Sequence, residues 1–344
     1  MPEPLIPTPH PVGWRRVARR MGTAALRASL SVSPRPMALF LRRQLARSSR
    51  ERAQSLMARA PNDVVNVTVD ERYGKHRDAL LDVYVPTSVA KRKDGEGPPL
   101  PTVVWTHGGA WVGGSKEELR GYFELIAGSG FTVVGIRYAL APEERYPTPV
   151  RQLMAALDHV TGNAKRLHVD PTRLVLAGDS SGSQISAQLA AIVTNPRYAQ
   201  HIGIKPTITS RNLRGLALCC GIFDLVGLTD GASLESFTKT IGWAYSGTRD
   251  YRHNRHFMAT TAVARYVNAT YPPTFLTVGN ADPLAAQSVA LASALRSKRV
   301  PVETLFYPSD HEPALGHEYQ FDLDLPDART ALYRLTAFCE RCTR

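Results

Sequence analysis

The hydrophobic positions of this chain fall into two alternating patterns. From residue 102 onwards, short apolar runs typical of buried strands are followed by segments whose apolar residues recur at helical spacing. This alternation predicts an α/β fold with a mostly parallel central sheet and helices on both faces. Two earlier apolar segments, 64–70 and 80–85, flank a turn that contains Gly74. We expect them to form an antiparallel pair at an edge of the sheet.

The remaining elements follow from the same patterns. The predicted strands are 102–106, 131–137, 174–177, 216–220, 274–278 and 302–306. The predicted helices are 117–127, 150–167, 184–192, 284–296 and 327–340. Residues 221–268 follow neither pattern and are rich in Gly, Thr and aromatic residues, so we interpret them as an irregular cap insertion beside the functional site.

The first 60 residues have a different pattern and a different charge. Apolar residues at helical spacing are interleaved with arginines, which is typical of a basic amphipathic helix. Twelve arginines against two glutamates account for +10 of the net charge of +12, so the charge belongs to this segment. We therefore predict a basic helical arm or cap at 1–60 and a main domain at 61–344.

Two interpretations of the arm remain open. Such a helix can lie on an anionic membrane surface, which would make residues 1–60 a peripheral membrane contact. The alternative, which we favour, is a cap helix that packs on the main domain with its arginines in water. No run reaches the roughly 18 apolar residues of a membrane-spanning helix, and no cleaved signal is apparent. We expect a cytoplasmic protein, and the absence of a recognised motif argues against nucleic-acid binding.

The cysteines do not indicate a metal site. Four cysteines are too few to predict a disulfide framework, and the Cys339-x-x-Cys342 spacing has no second Cys/His pair beside it. We expect neither a metal nor an organic cofactor.

A candidate nucleophile lies between a predicted strand and a predicted helix. The strand 174–177 runs into Gly178-Asp179-Ser180-Ser181-Gly182, and helix formers follow. A glycine-flanked turn of this kind exposes its central serine in a strained position, so Ser180 is the candidate nucleophile. The alternative is an ordinary helix start capped by Ser180 or Ser181.

A serine nucleophile needs a histidine base and a carboxylate that orients the base. Later strand ends supply both, because the carboxyl ends of parallel strands meet at one edge of the sheet. Asp282 follows strand 274–278 by four residues, although it is also placed to cap a helix that begins at Pro283. The base is His317 or His311, which both follow strand 302–306; we prefer His317, which follows a glycine and precedes aromatic residues.

The remaining requirement is a set of N–H donors for an oxyanion. The sequence His107-Gly108-Gly109-Ala110 follows strand 102–106 and offers a loop with few side chains. We expect the amides of Gly108, Gly109 and Ala110, together with that of Ser181, to form the oxyanion hole.

Three motifs together resemble those of the hormone-sensitive-lipase-like esterase and lipase group. They are His107-Gly108-Gly109-Ala110-Trp111, the segment 137–143, and Asp170-Pro171 followed by 178–182. The resemblance implies an α/β-hydrolase fold for the main domain and ester hydrolysis through an acyl-enzyme, with a small-molecule ester that carries a hydrophobic group as substrate. Three residues depart from that pattern: Ala110 and Ser183 replace glycines, and Glu318 follows His317 where the group usually has glycine.

Two other functions are weighed against this one. Trp111 is similar to the tryptophan of the His-Gly-Gly-x-Trp motif in kynurenine formamidases, which implies an arylformamidase-type amide hydrolase that uses the same three residues. The second alternative is a non-catalytic ligand-binding protein built on the hydrolase fold. Such proteins typically lose a member of the triad, whereas Ser180, Asp282 and His317 are all present.

Overall fold

The computed structural model describes residues 33–92, 97–225 and 232–344. The first half of the predicted arm, including its apolar and arginine positions before residue 33, lies outside the described residues. No helix within these three segments is both long and apolar enough to cross a membrane.

An eight-stranded sheet forms the centre of the described chain. Its strands are β1 (Val64–Arg72), β2 (Leu80–Pro86), β3 (Leu100–Thr106), β4 (Thr132–Arg137), β5 (Val169–Asp179), β6 (Leu213–Cys219), β7 (Thr274–Val278) and β8 (Val302–Phe306). Their order across the sheet is β1-β2-β4-β3-β5-β6-β7-β8. The predicted strands are confirmed, with ends that differ by a few residues.

The pairing within the sheet is mostly parallel. β2 pairs antiparallel with both β1 and β4, which confirms the predicted edge pair. From β4 to β8 all pairs are parallel, and Val103 of β3 lies opposite Val133 of β4 and Val175 of β5. β4 lies on one side of β3 and β5 on the other, so the connection that leads to β4 and the connection that leads to β5 leave in opposite directions at β3. A crevice therefore opens at the carboxyl ends of the central strands.

Ten α-helices lie within the described segments. They are α1 (Arg35–Met57), α2 (Thr87–Ala90), α3 (Arg120–Gly128), α4 (Thr148–Gly162), α5 (Ser180–Thr194), α6 (Pro196–Ile202), α7 (Ala232–Ser246), α8 (Arg255–Thr261), α9 (Ala285–Ser297) and α10 (Pro326–Thr343). The prediction for 150–167 was wrong at its end. α4 stops at Gly162, and the apolar Leu167 that extended the pattern packs in the turn before β5.

The core lies on both faces of the sheet because successive side chains of a strand point to opposite faces. In β3, Val104 joins the cluster under α4 and α5, whereas Val103 and Trp105 join the cluster under α3 and α10. Helix α5 is buried on all sides, so the element that follows the candidate nucleophile is held by the core.

The second half of the arm, α1, packs on the main domain. Met37, Leu41 and Leu56 are buried, as the favoured cap interpretation expects. The fit is close at Gly121 of α3, where an added Cβ would overlap the backbone of Leu56. The expectation that the arginines stay in water was wrong for Arg42, because its guanidinium is bound to the main domain.

Arg42 bonds to the loops that follow β3 and β4. Its Nε donates to the carbonyl of Val112 at 2.6 Å, and its Nη2 donates to the carbonyl of Ala141 at 2.8 Å and to Glu143 at 2.6 Å. These acceptors are main-domain groups that no local pattern in the arm reveals.

Residues 221–268 are more regular than predicted. Outside the undescribed residues 226–231, they contain α7, α8 and two short 3₁₀ turns, Tyr251–His253 and Val263–Tyr266. Buried aromatic rings hold this segment, with Tyr245 of α7 stacked on Trp111 at 4.7 Å between ring centroids. The prediction that this segment is irregular was wrong. Glycine and threonine interrupt its helical pattern in the sequence, but aromatic packing stabilises the helices.

Candidate active site

The candidate site lies at the carboxyl edge of the sheet. β3 leads into the loop that begins at His107, β5 leads into Ser180, β7 into Asp282, and β8 into the loop that contains His317. Four loops from separate parts of the chain therefore meet at the crevice that the strand order creates.

Ser180 occupies a sharp turn between β5 and α5. Its φ of 50° lies in the left-handed region, which costs a non-glycine residue roughly 1–2 kcal/mol. The turn packs closely on β3, since a Cβ at Gly182 would overlap the carbonyl of Thr106. The flanking glycine therefore permits an approach that no side chain would allow, and the serine stands at the head of a buried helix.

The structure brings Ser180, His317 and Asp282 together. The distance from His317 Nε2 to Ser180 Oγ is 3.0 Å, and the distance from His317 Nδ1 to Asp282 Oδ2 is 2.8 Å. The hydroxyl of Ser180 can therefore pass its proton to Nε2 of His317, while Nδ1–H of the same ring donates to the carboxylate of Asp282.

The surroundings of His317 strengthen it as a base. Burial acts to lower the pKa of the imidazole, but the adjacent Asp282 carboxylate acts in the opposite direction, and the net pKa of His317 lies well above 6.5. A raised pKa means a stronger affinity for the proton of Ser180.

Asp282 is held by the backbone and does not cap a helix. Its second oxygen, Oδ1, accepts the N–H of Leu284 at 2.8 Å, and α9 begins only at Ala285. The expected helix cap with Pro283 in the first helical position was therefore wrong. The Leu284 bond orients the carboxylate so that Oδ2 faces His317.

The alternative base, His311, lies elsewhere. Its Nε2 is 3.1 Å from Asp327, and its ring packs on Tyr307 at 4.5 Å between centroids. Its backbone carbonyl accepts the amide of Asn280 at 3.0 Å. These contacts make His311 part of the loop's support, and the structure does not bring it to Ser180.

In the loop after β3, two of the three N–H groups that were expected to bind an oxyanion have no hydrogen-bond partner within the described residues. The N–H of Gly108 donates to Asp179 Oδ2 at 2.8 Å, so the prediction that Gly108 donates to an oxyanion was wrong. Across the described residues, no acceptor takes the N–H of Gly109 or of Ala110. Ser181 lies in the first turn of α5, where N–H groups have no partner inside the helix.

Ala110 also adopts an unusual backbone conformation for a residue with a side chain. Its φ is 54°, and that of Trp111 is 58°. The N–H of Trp111 donates to Ser181 Oγ at 3.3 Å, which fixes the loop against the nucleophile turn. Ala110 thus adopts the left-handed conformation for which the resembled group uses glycine.

Three functional candidates were missed at the level of sequence: Asp179, Glu318 and Arg52. Asp179 is 2% exposed and accepts Trp105 Nε1–H at 2.8 Å as well as the N–H of Gly108. Burial and the neighbouring Glu318 raise the pKa of Asp179 to about 8. The one signal in the sequence was Glu318 itself, which stands where the resembled group has glycine.

The site also contains a group of atoms of the kind that bind metals. Cys220 Sγ, a carboxylate oxygen of Asp282 and a nitrogen of His317 lie within 4.8 Å of one another. Burial raises the pKa of the Cys220 thiol, which favours its protonated form, whereas metals bind the thiolate. The Asp282 and His317 atoms are already bonded to each other, so a metal would have to displace that bond.

A mostly parallel sheet with these residues at its carboxyl edge defines the class of the α/β hydrolases. A family profile described as "alpha/beta hydrolase fold" matches residues 103–312. Since this match spans more than half of the chain, the chain belongs to that family. The predicted fold and the predicted esterase and lipase family are confirmed.

Related sequences carry esterase names. The chain is 28% identical to the carboxylesterase NlhH of Mycobacterium tuberculosis over 301 residues, which cover 84% of this chain and 88% of that protein. It is 30% identical to the esterase LipI of the same species over 209 residues, which cover 59% of this chain and 62% of that protein.

Solved structures show the same fold. Esterase B of Lactobacillus rhamnosis superposes with a TM-score of 0.76 at 22% identity and covers 90% of this chain and 96% of its own. An esterase of Pyrobaculum calidifontis gives a TM-score of 0.69 at 23% identity, with 94% of this chain and 99% of that chain covered.

Proposed function

We propose that this protein is a serine carboxylic-ester hydrolase in which Ser180, His317 and Asp282 form the catalytic triad. The observation that carries the proposal is the continuous contact from Ser180 Oγ through His317 to Asp282, at 3.0 and 2.8 Å. A non-catalytic ligand-binding role gains no support from this geometry, because it has no need of three aligned groups in the order of proton transfer.

In the first half of the reaction, His317 Nε2 takes the proton of Ser180 as Oγ attacks the ester carbonyl carbon. The carbonyl oxygen becomes an oxyanion, which the N–H groups of Gly109, Ala110 and Ser181 bind. One such donor is worth about 3 kcal/mol of the barrier in a well-studied hydrolase. His317 then gives its proton to the leaving alkoxy oxygen, and the alcohol departs from an acyl-enzyme.

The second half repeats these steps with water. His317 takes a proton from the water as its oxygen attacks the acyl carbon, and the same amides bind the new oxyanion. The proton returns to Ser180 Oγ as the acyl bond breaks, which frees the carboxylic acid. Asp282 keeps the ring of His317 oriented in both halves and stabilises its charged form.

The proposed substrate class follows from the catalytic triad and from the helical cover above it. We propose a small-molecule ester with a hydrophobic group, since aromatic rings dominate the buried contacts between the cap and the site. Tyr245 stacks on Trp111, and Phe257 meets Tyr245 edge-on at 5.9 Å between centroids. A formamide is the natural comparison substrate because the two reactions use the same triad.

We also propose that residues 1–60 and 221–268 act together as a cap. Helix α1 packs against α7 in the described part of the chain, so the two segments form one cover. Met37 and Leu41 are buried against the protein and are unavailable to a membrane. Within 35–57 this burial supports the cap role of the arm.

The test combines a serine-reactive fluorophosphonate with the Ser180→Ala variant. Ser309→Ala serves as the control, because Ser309 is an exposed serine on the loop that carries His317. We expect wild type and Ser309→Ala to be labelled and to hydrolyse p-nitrophenyl esters, and Ser180→Ala to lose both properties with turnover reduced by at least about 10⁴-fold. Labelling that persists in Ser180→Ala would contradict the proposal.

The same assay ranks substrates. Esters of graded acyl length, compared with an N-formyl arylamine, should show faster turnover of the esters. A formamide that is hydrolysed with a higher kcat/KM than every ester would instead assign the site to amide hydrolysis.

A further inference from the structure

The residue after the proposed base has a backbone conformation that its side chain disfavours. Glu318 has a φ of 62° and a ψ of 28°, in the left-handed region that glycine adopts without cost. A glutamate at such a position is strained, because its Cβ crowds the backbone. Strain of this kind at a site calls for a compensating contact of the side chain, and the structure contains one.

The carboxylate of Glu318 forms an ion pair with Arg52 of α1. The Glu318 side chain is 16% exposed and that of Arg52 27%, so the pair is largely shielded from water. The guanidinium of Arg52 also lies over the ring of Phe321, 5.2 Å from its centroid. The cap helix and the loop that carries His317 are therefore joined by a charge contact between residues 266 positions apart.

The same carboxylate faces the nucleophile turn. Glu318 Oε1 lies 3.1 Å from the point where a Cβ on Gly108 would stand, and Asp179 Oδ2 lies still closer to that point. Burial and Glu318 raise the pKa of Asp179 to about 8. Burial also acts to raise the pKa of Glu318, but Arg52, His317 and the contact with Asp179 together lower it. Asp179 therefore holds the proton and Glu318 the negative charge.

Arg52 is the cation that compensates this group of acids. Glu118, on the 3₁₀ turn at Glu117–Leu119, faces Arg52 as well, and its pKa is raised. A shielded carboxylate that loses its partner strongly destabilises its surroundings, because its charge is then left without compensation. Without Arg52, the negative charge of Glu318 would face Asp179 and Glu118 with His317 as its remaining cationic neighbour.

We propose that Arg52 is a positioning residue of the active site: from the cap helix it holds Glu318 and, through it, the loop that places His317 against Ser180. We call Arg52, Glu318 and Asp179 the arginine bracket. The inference rests on the proposed function, in which His317 is the base. Because misplacement by about 1 Å can cost roughly 100-fold in rate, a loop that loses this contact lowers the rate of chemistry more than it weakens substrate binding.

The first test is Arg52→Met, which removes the charge and keeps an apolar stem over Phe321. Arg47→Met is the matched control, because Arg47 is an exposed arginine on the same helix and makes no ion pair within the described residues. We expect Arg52→Met to lower kcat for a short ester at least tenfold with KM changed less than twofold, and Arg47→Met to change neither. An unchanged kcat in folded Arg52→Met overturns the proposal.

The second test is rescue, which a purely structural role of Arg52 would not produce. Glu318→Gly removes both the strained backbone and the charge that needs a partner, so we expect its kcat to be at least threefold higher than that of Arg52→Met. Arg52→Met combined with Glu318→Gly should then match Glu318→Gly alone. A double variant as slow as Arg52→Met overturns the bracket, and if Arg52→Met fails to fold, Glu318→Gln, with Arg52 intact, must show the tenfold loss of kcat instead.

The rate of fluorophosphonate labelling of Ser180 separates this proposal from the proposed function. Labelling depends on His317 as the base and does not require an ester substrate. A wild type that is labelled but hydrolyses no ester overturns ester hydrolysis alone. Equal labelling rates in wild type and folded Arg52→Met overturn the bracket alone.

Discussion

The loops at the carboxyl edge of the sheet and the helical cover above them are built in different ways. The loops that carry His107, Ser180 and Asp282 leave inner strands of the sheet, whereas the loop that carries His317 leaves the edge strand β8, which ends at Phe306. The cover, formed by α1 and by residues 232–268, is held by arginines, aromatic rings and close contacts with glycine. The position of the first three loops thus depends on the sheet, whereas the position of the cover, and of the His317 loop that contacts it through Arg52 and Glu318, depends on single side chains.

This difference indicates where substitutions should act. A change at a catalytic loop should alter the chemistry and leave the fold intact, because the sheet still positions the backbone. A change in the contacts that hold the cover on the main domain should alter the stability of the protein and, through the arginine bracket, the rate of hydrolysis.

The largest effect is expected for Asp282→Asn, which tests the catalytic loops. The amide can no longer accept the Nδ1–H of His317 as a carboxylate does, so the ring loses its orientation and its charge partner. We expect kcat to fall by about 10³–10⁴-fold with little change in the melting temperature. A loss of less than tenfold would contradict the role of Asp282.

The residual activity of the same variant should also change its pH dependence. Catalysis needs neutral His317, and Asp282 raises the pKa of the imidazole, so the wild type loses activity as the pH falls through that raised value. Removing the carboxylate lowers the pKa of His317, and the acid limb of kcat/KM should therefore move to lower pH. An acid limb of kcat/KM that stays at the same pH would show that a group other than His317 titrates in that range.

A smaller effect is expected for Gly121→Ala, which tests the seat of the cover. The new methyl group would overlap the backbone of Leu56 and push α1 away from α3. We expect a loss of about 1–3 kcal/mol in the free energy of unfolding, measured by denaturant titration, together with a lower kcat. Gly162→Ala is the control, since no atom lies within 4 Å of the Cβ it would add. Equal stability of the two variants would contradict the close seat of α1.

The smallest effect is expected for His311→Asn, which separates the two histidines of one loop. His311 contacts Asp327 and Tyr307, away from Ser180, so we expect kcat/KM to stay within twofold of wild type. A tenfold fall would show that the loop uses His311 in the reaction after all.

Local patterns predicted the parts of this molecule that the chain forms locally. The strand, the glycine-flanked turn and the helix around Ser180 are consecutive in sequence, and so are the strand ends before His107 and Asp282. Their meeting at one edge follows from the geometry of parallel strands. The triad candidates and the fold class could therefore be predicted from the sequence.

The contacts that the sequence did not predict join distant residues. Nothing near Gly108 indicates that its N–H binds Asp179, 71 positions later, and nothing in the arm indicates that Arg52 meets Glu318. The start of α9 also differed, because Asp282 accepts the N–H of Leu284 in a turn before the helix begins. Such details depend on packing that forms only after the sheet has assembled.

The docking of α1 has a consequence for the order in which this protein matures. During synthesis α1 leaves the ribosome before any of the described strands, yet Gly121, on which it packs, and its partner Glu318 come later in the chain. Contacts between such distant positions form late in folding, after the loops between them have closed. With the arginine bracket as proposed, we expect a newly made chain to gain a fully aligned serine only when α1 and the loop that carries His317 have joined, so that the onset of hydrolysis would report the docking of α1.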